Sequence, residues 1–99
     1  MPRGGCIYIM SNTHNTTLYI GVMADLLSRI QQHKQRTDPK SFTARYQLHK
    51  LVYYETFSRI EEAINKEKQL KQYSRKKKEK LITAMNPNWI DLWEEIKGW

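Results

Sequence analysis

The hydrophobic pattern of this chain changes period several times, and each change marks an element. Cys6 to Met10 is an unbroken apolar and aromatic run, and Leu18 to Met23 is a second, interrupted only by Gly21. Both are rich in Tyr, Ile and Val, residues that suit a pleated, half-buried surface. Between them lies Ser11-Asn12-Thr13-His14-Asn15-Thr16-Thr17. Short polar side chains of this kind bond their own backbone and favour turns. The pattern therefore predicts a β-hairpin. In it Tyr8 and Tyr19 come near each other, and the strand register decides whether their hydroxyls share a face.

Past the hairpin the period changes to that of a helix. Asp25 is placed to cap a helix over about Leu26 to Gln35. Its apolar side is Leu26, Leu27 and Ile30, and Arg29 and His33 project together at its rim, four residues apart. Thr37 to Lys40 is a break, and Ser41 to Tyr46 fits a short helical turn. Leu48 to Phe57 contains Leu51-Val52-Tyr53-Tyr54, a third strand. Ser58 and Glu61 have the spacing of a capping box that opens a helix reaching about Tyr73. Ser74 caps a fourth helix ending near Asn86, because Pro87 prevents continuation. Trp89, Leu92, Trp93, Ile96 and Trp99 then form an amphipathic tail over about 87–99. Such a tail packs on the domain or on a second copy more readily than it binds bases.

One residue breaks the pattern of the third helix. Ile60, Ala63, Ile64 and Leu70 define its apolar stripe at about 100° per residue, and Glu67 falls close to the stripe's centre. An inward carboxylate is costly unless it is paired, hydrogen-bonded or bound to a metal. Lys71, four residues on, offers a helical ion pair. A divalent cation is the other solution, and the pattern alone leaves both open.

Composition narrows the class. At 99 residues the chain has the length of one domain, taken as 1–99, with a small core. With 39% hydrophobic and 27% charged residues it has the composition of a globular protein. Its apolar runs are far short of the ~20 residues needed to span a bilayer. The first five residues hold no signal-peptide apolar stretch, and Cys6 is the sole cysteine, so no internal disulfide forms. A cytoplasmic location is the expectation. The net charge of +7 is concentrated between Lys66 and Lys80. There Lys66, Lys68, Lys71, Arg75, Lys76, Lys77, Lys78 and Lys80 stand against Glu67 and Glu79. A cluster this dense suits either a solvated helix face or a polyanion partner. It lacks the broad Trp/Phe/Leu face that a membrane-surface helix needs.

Taken in order, Cys6-Ile7-Tyr8, Tyr19-Ile20-Gly21, Arg29, His33, Glu67 and Asn86 resemble the GIY-YIG nuclease superfamily. The likeness is greatest to its small stand-alone bacterial members. The stretches Tyr19 to His33, Leu51 to Glu55, Glu67 to Lys71 and Asn86 to Trp89 carry it. Cys6 in place of the first glycine, and Met23 where a small hydroxyl residue is common, are departures from the pattern. The resemblance implies an α+β fold: a small three-stranded, mainly antiparallel sheet flanked by helices, in the order β-β-α-α-β-α-α. It also implies phosphodiester cleavage with one divalent ion, Mg²⁺ or Mn²⁺, held weakly without substrate.

By the same resemblance Glu67 is the metal ligand and Tyr8 the general base. Ionising a free phenol, whose pKa is ~10, near neutral pH costs roughly 4 kcal/mol, so a neutral Tyr8 that relays a proton is the alternative. Tyr19 then holds the water or a phosphate oxygen, Arg29 balances phosphate charge, and His33 orients a neighbour or assists proton transfer. Gly21 permits close backbone approach, and Asn86 is either a helix cap or part of the site's support. Lys68, Lys71, Arg75, Lys76, Lys77 and Lys78 form the nucleic-acid surface. The expected partner is nucleic acid, DNA before RNA, with repair or recombination as the setting. A homodimer or a partner protein is expected to supply specificity, because 99 residues leave no room for a targeting domain. The competing expectation is a nucleic-acid-binding or adaptor domain with little hydrolytic activity on the same fold.

Overall fold

The computed structural model describes residues 4–25, 30, 31, 34 and 46–98. Its strands are β1 (Gly5–Ser11), β2 (Leu18–Met23) and β3 (Lys50–Phe57). Its helices are α1 (Ile60–Lys71), α2 (Arg75–Met85) and the short α3 (Trp93–Ile96). The strands form one antiparallel sheet in the order β2-β1-β3, flanked by helices, so the α+β expectation holds. Ile30, Gln31 and Lys34 are helical, in the segment where a helix over 26–35 is expected. Its bounds, with Arg29 and His33, lie outside the described residues, as does most of the 41–46 turn. Among the described residues no helix is long and apolar enough to cross a membrane.

The central strand is buried along its whole length. Because side chains alternate, β1 feeds two apolar layers. Cys6, Tyr8 and Met10 pack with Ile30, Leu48, Leu51, Leu92 and Ile96 on one face. Ile7 and Ile9 pack on the other, with Ile20, Val52, Tyr53, Ala63, Leu70 and Ile82, under α1 and α2. Burial on both faces explains why this run is almost continuously apolar instead of alternating. It also pushes the Cys6 thiol above its ordinary range, an effect that Asp25 reinforces.

The hairpin turn is organised by one side chain. Asn12 Oδ1 accepts from the backbone N–H groups of Thr16 (2.9 Å) and Thr17 (3.1 Å). Its Nδ2 donates to Thr16 Oγ1 at 2.6 Å. Asn15 turns the chain with a φ of 59°, a conformation asparagine tolerates well. Arg75, the first residue of α2, donates to the carbonyls of Asn15 and Thr16, and its Nε donates to Glu79 at 2.9 Å. The fourth helix is thereby fastened to the hairpin tip.

The outer edge of β3 is covered by the tail. Leu51 N–H donates to Asp91 Oδ1 (3.1 Å), and Leu51 carbonyl accepts from Leu92 N–H (2.7 Å). Asp91 also pairs with Lys34, whose ammonium donates to the His49 carbonyl and lies 5.8 Å from the Trp93 ring centre. The register shifts between Ile9 and Met10, which face Tyr53 and Leu51, leaving Val52 as the extra residue of a bulge. Its carbonyl is met by Asn86 Nδ2 at 3.1 Å. Asn86 is 4% exposed, and its side chain also donates to Ile90 carbonyl (2.8 Å) and accepts from Ile90 N–H (3.1 Å). It closes α2 as the residue before Pro87, and it ties that helix end to β3 and the tail.

Helix starts differ in how they follow the sequence. Ser74 caps α2, its hydroxyl accepting from Lys77 N–H at 3.2 Å. The Ser58–Glu61 box does not form. β3 ends at Phe57, and Arg59, with extended dihedrals (φ −130°, ψ 139°), becomes the cap residue of α1 without a side-chain bond. The Ser58 backbone packs against Gly4, and its hydroxyl reaches Glu62 at 3.4 Å. The helix thus starts one residue later than the box requires.

Two outcomes test this account. Asn86→Ala leaves the Val52 carbonyl and the Ile90 backbone groups unmet, and should lower the unfolding free energy in urea by about 2–4 kcal/mol. The second concerns Tyr53, whose phenol is pushed well above its ordinary pKa by burial and then by Glu55, which accepts its hydroxyl at 3.0 Å. A pKa raised by folding gives stability that is complete below about pH 10 and is lost as pH rises beyond it. Urea midpoints should therefore fall more steeply above pH 10 in the native protein than in Tyr53→Phe.

Candidate nuclease site

Register decides what the two tyrosines do. Tyr8 stands opposite Gly21, and Tyr19 opposite Met10, so both side chains leave the same face of the hairpin. A Cβ built on Gly21 would overlap the Cζ, the hydroxyl oxygen and Cε1 of Tyr8. The Tyr8 ring therefore lies across the Gly21 backbone, with its hydroxyl end over β2. This is the close approach for which a glycine is needed within a strand. The ring centres of Tyr8 and Tyr19 are 6.3 Å apart with planes at 45°, within the range of favourable tilted aromatic pairs. Tyr8 is 2% exposed, whereas Tyr19 is half-buried.

Tyr54 stands beside Tyr8 on the opposite flank, paired with it across β1 and β3. Burial raises its phenol pKa, with Glu95 adding to the effect. The adjacent Tyr53 and Tyr54 look equivalent in the sequence. Only the register places Tyr54 in the layer of Tyr8 and Tyr19, and Tyr53 in the other.

Glu67 comes from the opposite layer. In α1 it lies one turn from Ala63 and from Leu70, both fully buried, and its own side chain is 15% exposed. The inward orientation expected from the helical period is what the fold contains. Its carboxylate is 3.3 Å from Lys71 Nζ, the partner four residues on. The two layers meet around the outer edge of β2. There a depression of about 370 Å³ is lined by Leu18, Tyr19 and Ile20 from the strand, and by Lys71 and Lys78 from the helical side. Lys71 thus borders both Glu67 and the surface that carries Tyr19.

The basic residues divide by what they touch. Arg75 is engaged with the hairpin carbonyls and Glu79, and Lys77 lies 3.9 Å from the ring centre of Tyr73. Lys71 holds Glu67 and Lys78 borders the depression, while Lys68 and Lys76 are exposed. Asn86 is buried among β3, α2 and the tail, in a supporting position. Arg29 and His33 lie outside the described residues.

The donor set suits a hard cation completed from outside the protein. Among the described residues no group of three or more His, Cys, Asp or Glu converges, so no all-protein cage is present there. A single largely buried carboxylate is a sparse donor set, of the kind usable by a hard cation that keeps several of its waters. The Tyr8–Gly21 packing gives its own test. Gly21→Ala should destabilise the protein by at least about 3 kcal/mol, because the new methyl group and the ring claim one space. In a Tyr8→Ala background the same change should cost much less, and a double-mutant cycle in urea reads the difference.

Comparison with known proteins identifies the family of this chain. The family model of the GIY-YIG catalytic domain matches residues 4–80, from the strand that carries Tyr8 into α2. Several UPF0213 proteins of Staphylococcus aureus, among them those of strains Mu50 and N315, are 33% identical over 76 residues. That match covers 77% of this chain and 90% of each relative. No solved structure matches significantly. With its motif tyrosines paired over Gly21 and the match running through both flanking layers, this chain belongs to the GIY-YIG nuclease superfamily, among the small stand-alone UPF0213 proteins.

Proposed function

We propose that this protein is a divalent-metal-dependent endonuclease that hydrolyses phosphodiester bonds in nucleic acid, with DNA as its substrate. The observation that carries the reading is the packing of Tyr8 over Gly21 beside Tyr19, at the edge where Lys71 joins that surface to the inward Glu67. Hydrolysis requires a water aligned and relieved of a proton, and relief of charge on the phosphate and the leaving oxygen. Glu67 would hold the Mg²⁺ or Mn²⁺, which would supply the charge relief.

The chain's own groups do the rest. Tyr19 borders the depression and meets the water or a phosphate oxygen first. Tyr8 stands behind it, enclosed, and takes or relays the proton. Arg29 and His33, by their place in the family motif, contribute phosphate neutralisation and orientation. Lys68, Lys71, Lys76 and Lys78 supply a sequence-tolerant attraction for the backbone, which falls as salt rises. The hairpin clamp at Arg75 keeps β2, and with it Tyr19, in place. Specificity then comes from a second copy or a partner protein.

Nicked and branched DNA, of the kinds that arise in repair and recombination, are the substrates to test, with single strands and RNA beside them. Cleavage should require Mg²⁺ or Mn²⁺ and stop with chelator. Glu67→Gln and Tyr8→Phe should each reduce the single-turnover rate by about 100-fold or more, the size of losing a group that acts in the transition state. Cleavage that persists in both variants would overturn the assignment. DNA binding without cleavage of any substrate would make the protein a nucleic-acid-binding domain.

A further inference from the structure

Glu67 and Lys71 raise a question that the nuclease reading leaves unanswered. The carboxylate lies in a stripe between two fully buried residues, and the Lys71 ammonium is 3.3 Å from it. A divalent ion on Oε1, or on both oxygens, would compete with that ammonium for lone pairs and repel it at that distance. Lys71 is free to leave. Its side chain is 58% exposed, its stem is flexible, and an i,i+4 pair at a surface is weakly held. It has a place to go, since Lys71 lines the β2-edge depression together with Lys78. Two ammonium groups there, beside Tyr19, suit the non-bridging oxygens of a phosphodiester. Lysine serves better than arginine for such an exchange, because a point charge has no fork to lock it to one carboxylate.

We propose that Lys71 is an exchangeable counterion: it holds the Glu67 carboxylate while no metal is bound, and moves to a nucleic-acid phosphate when the metal takes its place. This rests on the metal-binding reading of Glu67. Metal binding then frees a phosphate-binding lysine, and a phosphate that draws Lys71 away frees the metal ligand. Metal and nucleic acid consequently bind with positive coupling, which must be equal in both directions. Lys71 acts here as a positioning residue for both ligands.

The test uses binding, not turnover. Mn²⁺ affinity of the full chain is measured by electron paramagnetic resonance of the free ion, with and without a nuclease-resistant phosphorothioate duplex. Fluorescence anisotropy of the same duplex, with and without Mn²⁺, reads the reverse direction. In the native protein each ligand should raise the affinity of the other by about fivefold. Lys71→Met should bind Mn²⁺ about threefold to fivefold more tightly without nucleic acid, the size of a released exposed ion pair, and should lose most of the coupling. Lys71→Arg, which keeps the charge and adds a fork that grips the carboxylate, should bind Mn²⁺ no more tightly than the native protein. Lys97→Met removes the same charge from the segment after α3 and should leave Mn²⁺ affinity unchanged, which controls for net charge. Lys71→Met with native or weaker Mn²⁺ affinity and undiminished coupling would overturn the exchange while leaving Glu67 as the ligand. Native Mn²⁺ affinity in Glu67→Gln would remove Glu67 as the ligand and take both readings with it.

Discussion

Tyr8 fills the space that a side chain at position 21 would need, and most of the structure serves to keep that contact in register. A shift of β2 by one residue would send Tyr19 to the other face and put a side chain where the Tyr8 ring lies. The register is held from both ends. Asn12 organises the turn backbone, and Arg75 reaches from α2 to grip the carbonyls at its tip. At the other end, β1 is buried on both faces, so sliding it would disturb two apolar layers at once. Geometry that a small site needs is thus supplied by the most constrained strand of the sheet.

The two edges of the sheet are treated differently. Unpaired strand edges invite association, and proteins blunt them by covering or by charge. The β3 edge is covered: Asp91 and Leu92 meet the backbone of Leu51, and Asn86 meets the carbonyl at the bulge. The β2 edge is instead flanked by Lys71 and Lys78 around an apolar hollow. Charge that discourages pairing with another strand also suits a phosphate backbone. One edge is closed by the tail, and the other is left open beside two lysines.

The basic run between Lys66 and Lys80 is accordingly not a uniform surface. Arg75 works within the protein, Lys77 stacks on Tyr73, and Lys71 pairs with the inward carboxylate of Glu67. What remains for a polyanion is a smaller set, arranged around the β2 edge and the exposed sides of α1 and α2. Such an arrangement favours contact at the site over diffuse attraction along the helix.

Local patterns were enough to read most elements. The apolar runs located β1 and β3 within two residues at each end and β2 at Leu18–Met23, because a strand's signature lies in its own residues. Ser74 as a cap, Asn86 as the end of α2 and the inward Glu67 were legible for the same reason, since helical spacing is a local property. The Ser58 cap was misleading, because Arg59 is itself extended and the helix starts one residue later. What only tertiary structure decided were the pairings between distant residues. Placing β1 between β2 and β3, the bulge at Val52, the covering of β3 by the tail and the division of Tyr53 from Tyr54 all depend on packing between segments far apart in the chain. The sequence by itself singled out the candidate residues, because residue type and helical or strand spacing are local properties. The fold decided that Tyr8 rests on Gly21, and that Lys71 stands between Glu67 and Tyr19, because distance in space follows from the register and the layers, and neither is written in any single segment.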